Sequence, residues 1–115
     1  MAGIIAGNDH FVRGVAPDAT LGAYRVFGCD GSTSADIIVA AMERAWSDGM
    51  DIINLSLGGG SSWPEYPTSM CGKILSEAGV IVVAAMGNEG VVGLWEASAP
   101  VSRPFYLFRI LFYIF

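Results

Sequence analysis

The chain has 115 residues, room for a single small domain. With 53% hydrophobic and 15% charged residues it is no disordered chain, and a formal charge of −5 with no basic cluster argues against a nucleic-acid partner. Its 2 cysteines, Cys29 and Cys71, permit one disulfide without demanding it, and with a single histidine their spacing sets a structural zinc site aside.

In chain order, residues 1–8 carry a short apolar patch without the basic flank of a signal peptide, so no signal peptide is expected within the chain. A turn at Gly14-Val15-Ala16-Pro17-Asp18 leads to a first β segment over residues 20–27. Gly28-Cys29-Asp30-Gly31-Ser32 reads as a loop. Thr33-x-x-Asp36 is a capping-box variant and opens a helix to about Asp48, with Ile38, Met42, Ala45 and Trp46 on one face and Gly49 as its stop.

Residues 51–57 form a second strand, followed by Gly58-Gly59-Gly60. After an irregular stretch over 61–67, residues 68–78 read as a helix stopped by Gly79. The third strand covers residues 80–86. Its apolar run suits a strand buried on both faces of a parallel sheet. Gly87 allows a sharp turn at that strand's carboxyl end, where open α/β sheets place ligands, and Asn88 follows with an N–H₂ donor. Strands alternating with helices indicate an α/β fold with right-handed crossovers.

There is no internal repeat and no boundary before Pro100, so residues 1–100 are taken as one partial domain. Residues 101–115 are a separate tail, rich in Phe, Tyr and Leu and free of glycine. At a dozen residues interrupted by Arg109, its apolar run falls short of the roughly 20 a membrane span needs, so no membrane partner is expected. Its abrupt composition reads as a translated intron or a shifted frame.

Four motifs carry a family resemblance. Met1-Ala2-Gly3-Ile4-Ile5-Ala6-Gly7, Gly14-Val15-Ala16-Pro17, Asp51-Ile52-Ile53-Asn54-Leu55-Ser56-Leu57-Gly58-Gly59 and Val82-Val83-Ala84-Ala85-Met86-Gly87-Asn88-Glu89-Gly90 follow one another in that order. Together, over about residues 1–90, they resemble the central part of a subtilisin-like serine endopeptidase (subtilase) catalytic domain. The resemblance implies an incomplete Rossmann-like, subtilisin-type three-layer sandwich that hydrolyses peptide bonds in proteins without a cofactor. It also implies a secreted parent and a protein or peptide substrate.

By the same resemblance Asn88 matches the family's oxyanion-hole asparagine, a preorganised donor for charge that develops on the attacked carbonyl. Ser56, Leu57 and Gly58 match one wall of the pocket for the residue before the cleaved bond, and Ala85 and Gly87 lie in its other wall. Gly31, Ser32 and Thr33 match the opposite edge, so that an extended peptide would lie between them as an added strand.

The family's histidine would fall immediately before Met1, its aspartate further upstream, and its serine after Asn88 in a Gly-Thr-Ser-Met-Ala-like turn. None of the three has a counterpart here, so the chain by itself is expected to be a non-catalytic fragment. His10 stands in the loop after the first helix rather than in the signature. Thr68-Ser69-Met70 copies three letters of the serine motif but precedes Asn88, and Ser69 reads as the first turn of a helix. Asn8 and Asp9 sit where many subtilases bind calcium, with one carboxylate for an ion that takes 6–8 oxygens. A nucleotide-binding α/β module is the competing class. Neither Gly-x-Gly-x-x-Gly nor Gly-x-x-x-x-Gly-Lys follows a strand, which disfavours it.

Overall fold

The computed structural model describes residues 1–60, 63–88, 91 and 98–99. The expected tail over 101–115 lies outside the described residues, as do Glu89 and Gly90.

The first 19 residues close on their own backbone. Helix α1 (Ala2–Ala6) buries none of its residues. The amides of Gly14 and Ala16 donate back to Gly7 and Ile5 at 2.7 Å each, and Asn8 bridges Arg13 across the loop between.

Residues 20–28 run without regular secondary structure, so the strand expected over 20–27 is not formed. Alternation of apolar residues detects one-sided burial, and that much holds: Tyr24 and Val26 are half-buried while Leu21 and Ala23 are exposed. A strand also needs a ladder partner, which periodicity does not supply. Among the described residues this segment has none.

Helix α2 (Ala35–Ser47) begins one residue later than expected. Its N-cap is Ser34 rather than Thr33, and the Ser34 hydroxyl bonds the Asp36 carboxylate, holding it below the usual carboxylate range. Met42 and Ala45 are buried and Ile38 is half-buried, but Trp46 is 52% exposed. Trp46 lies about 80° round the helix from Ile38, at the far edge of the apolar stripe, and a ring that large is left outside.

Both long helices hand over to a strand through the same device. At the end of α2 the Met50 amide donates to Ala45 and the Gly49 amide to Trp46, at 3.1 and 2.9 Å. At the end of α3 (Pro67–Glu77) the Val80 amide donates to Leu75 and the Gly79 amide to Ser76, at 3.0 and 3.1 Å. These are Schellman closures, which need a residue with positive φ at the first position past the cap. Gly49 and Gly79 supply it, with φ of 79° and 96°. Each turn aims the chain straight back into the core as the next strand.

Strands β1 (Ile52–Leu55) and β3 (Ile81–Ala84) pair in parallel, Ile52 opposite Ile81 and Leu55 opposite Ala84, with α3 as the crossover between them. Both are shorter than expected, because pairing ends where the chains diverge into loops. Helices α2 and α3 cover one face of this pair. Met42, Ala45, Cys71 and Leu75 meet Ile53, Leu55, Val80 and Val82 there in one core.

The other face is open: Ile52, Ile81 and Val83 are 58, 52 and 47% exposed. Burial on both faces, expected for the third strand, is therefore corrected to one. The described residues supply two layers of an incomplete α/β sandwich. A second small pairing was not expected: β2 (Gly59–Gly60) runs antiparallel to β4 (Ser98–Ala99).

Candidate functional site

Because β1 and β3 are parallel neighbours in register, the segments that follow them leave the same edge of the sheet side by side. Ladder bonding continues one step beyond the strands, the Ala85 amide donating to the Leu55 carbonyl at 3.0 Å. Ser56-Leu57-Gly58 thus starts out beside Ala85-Met86-Gly87, with neighbouring strands about 4.8 Å apart. Ser56 is oriented by Asn54, whose Nδ2 donates to its Oγ at 2.8 Å. Gly87 turns the chain with φ 113°, and Asn88 follows it, exposed. The carboxyl edge of a parallel sheet is where such folds present ligand-binding groups, and the exposed carboxamide of Asn88 stands there.

Next to this edge lies a groove of about 270 Å³. Gly31, Ser32 and Thr33 line one side and Leu57, Gly58 and Gly59 another. The two edges expected to flank a peptide therefore face one space, although 23 residues or more separate them in sequence. Ser56, Ala85, Gly87 and Asn88 do not line this groove.

The turn that carries the first side is built by its own side chains. The Gly28 amide donates to the Ser32 carbonyl at 3.4 Å, and the Ser32 hydroxyl donates to Asp30 Oδ2 at 3.0 Å. That hydroxyl, with the Ser32 amide, holds the Asp30 carboxyl below the usual carboxylate range.

Sequence reasoning missed half of the lining. Phe27, Ala35, Ile38, Tyr66, Thr68 and Ala99 also border the groove. Ile38 had the signal of a core residue and serves as both, being half-buried against the core while lining the groove. Tyr66 caps α3 ahead of Pro67, a pattern legible as a helix start and silent about what the ring faces. Ala99 reaches the groove only through the β2–β4 pairing, which no local motif announces. Among the described residues no Lys or Arg lines the space, and those that do are apolar or uncharged polar.

The other candidates fall elsewhere. His10 is exposed in the loop bridged by Asn8 and Arg13. Ser69 is completely buried in the first turn of α3. Asp9 Oδ1 accepts the amide of His10, and Asp9 is the one carboxylate of that loop, a ligand set that does not fit calcium. Both thiols are free, Cys29 exposed and Cys71 buried. Burial, with Glu43 nearby, pushes the Cys71 thiol up.

Parallel strands with helices on one face, and with glycine-rich segments and a carboxamide at their carboxyl edge, define an α/β domain of the class that presents ligand-binding groups at the sheet's end. The chain belongs to the subtilase family, whose sequence profile matches residues 1–106. It is 43% identical over 100 residues to the minor extracellular protease Vpr of Bacillus subtilis (strain 168), covering 87% of this chain and 12% of that protein. It is 39% identical over 95 residues to subtilisin DY of Bacillus licheniformis, covering 81% and 34%. Against subtilisin Savinase of Lederbergia lenta it is 42% identical over 92 residues, covering 78% and 34%. The chain thus spans about a third or less of the length of these relatives.

Proposed function

We propose that this chain is the substrate-binding middle of a serine endopeptidase domain that cleaves proteins outside the cell. The observation that carries the proposal is the emergence of Ser56–Gly58 and Ala85–Asn88 from one sheet edge, beside a groove bounded by Gly31–Thr33 and Leu57–Gly59. An extended peptide would lie along that groove as an added strand, with glycines admitting its backbone closely. Asn88 would donate to the carbonyl oxygen as it gains charge, an interaction stronger in the transition state than in the ground state.

Serine, histidine and aspartate would come from the rest of a longer polypeptide. The reaction as proposed uses no cofactor, and no helix among the described residues is long and apolar enough to cross a membrane. The extracellular setting is proposed from relatives such as the protease Vpr, which is named as extracellular.

A fluorophosphonate probe tests the division of labour. The 115-residue chain is expected to remain unlabelled and to leave casein intact. The polypeptide restored with its genomic flanks is expected to label on one serine. In that longer protein Asn88→Ala should lower kcat by about 10²–10³ with little change in KM, a range measured in a subtilisin and carried over here. Stoichiometric labelling of the short chain, or full activity in the Asn88→Ala protein, would sink the proposal.

A further inference from the structure

We infer that Tyr24 is a positioning residue: its bond to Asp48 sets the place of the Phe27 wall of the groove and so the fit of the side chain received there. The inference rests on the peptide-binding role proposed above. Residues 20–27 approach the groove with no ladder to hold them, and among the described residues their hydrogen bond to another part of the molecule is the one from the Tyr24 hydroxyl to Asp48 Oδ2, 2.9 Å long.

Both ends of that bond are fixed. Asp48 caps α2 and is gripped by Arg44 Nε at 3.0 Å. The Tyr24 ring packs against the core and over Gly22, where a β-carbon would come within 2.9 Å of the ring and 3.2 Å of Met50 Sδ. A side chain at position 22 would push the ring off its seat.

From this anchor the chain has three residues, about 10 Å at full extension, before Phe27 enters the groove lining. Little slack remains in that length. Arg25 Nε donates to the Phe27 carbonyl at 3.1 Å, and the Gly28–Ser32 closure ties Phe27 to the turn that carries Gly31, Ser32 and Thr33. An untethered segment would let the Phe27 ring and the turn shift together, widening the groove without opening the core. Tyr24 touches no peptide in this arrangement; it acts through Phe27 and the turn.

The test uses the full chain with Tyr24→Phe, which keeps the ring and removes the hydroxyl, and Asp48→Asn. Binding is followed by anisotropy of labelled extended peptides that differ only in carrying Leu or Ala at the position entering the groove. Wild type is expected to prefer the Leu peptide. Tyr24→Phe should weaken that peptide by about fivefold, the loss of one hydrogen bond's worth of positioning, and leave the Ala peptide nearly unchanged. The double variant should be no weaker than the more affected single one.

A fluorophore on exposed Cys29, selective because Cys71 is buried, should gain rotational freedom in Tyr24→Phe whether or not peptide is present. Equal losses for both peptides in step with a falling melting temperature would overturn the positioning role, as would an unchanged Cys29 label. If wild type binds neither peptide, the peptide-binding role fails, and the label alone decides whether the bond holds the turn.

Discussion

Asp30 and Ser32 show how a short stretch of polar residues builds one side of a groove. Both amide and hydroxyl of Ser32 turn inward to one carboxylate, so the loop is held in shape by its own side chains. The sign of its pH dependence follows from the depressed carboxyl. A group held below its unfolded value contributes fully above that value and loses its contribution as pH falls through the lower one. By carbon-detected NMR, Asp30 should therefore titrate below the ordinary 3.8, and Ser32→Ala should return it toward that figure. A midpoint at 3.8 in wild type would show that the turn is not closed in solution. Thr33 adds a contrast, since its Oγ1 is buried and has no hydrogen-bond partner among the described residues.

At the level of elements, the two Schellman closures matter more than the helices' own propensities. They carry the chain from a helix cap to a strand start in four and three residues, which fixes where Ile52 and Ile81 begin and hence the register between them. Gly79 has φ 96°, a conformation that costs an L-residue about 1–2 kcal/mol. Urea unfolding should rank Gly79 above Asn above Ala above Val at this position, because Asn tolerates left-handed backbone and β-branched residues do not. Equal stability for Gly and Val would mean the closure is not formed. The sequence made these stops legible, Gly49 and Gly79 each standing one residue past a helix cap. It did not make the extents of the strands legible, since pairing depends on the neighbour.

For the molecule as a whole, the asymmetry of the sheet is the dominant physical fact. One face is packed and the other exposes Ile52, Ile81 and Val83. Unpaired strand edges and a bare apolar face favour association between copies. Sedimentation of the 115-residue chain should accordingly show self-association that rises with concentration. Ile81→Lys should reduce it while changing stability by less than about 0.5 kcal/mol, because the side chain it replaces is half in water. Leu75→Ala, on the packed side at 2% exposure, should cost about 2–5 kcal/mol. A reversed order of the two would show that the packed face has been misidentified.

What the sequence determined by itself is local: helices ended by glycine, apolar runs long enough to be strands, and the order of motifs that places the chain among subtilases. These rest on interactions within a few residues of one another. The same holds for Asn88, whose position after Val82–Gly87 is legible as a donor at the end of a strand. Only the tertiary structure decided that residues 20–27 form no ladder, that one sheet face is bare, and that Phe27, Tyr66 and Ala99 border the same groove as Gly31 and Gly58. Each of these depends on which distant segment supplies a partner. Pairing and packing between segments far apart in the chain leave no periodic mark in either one.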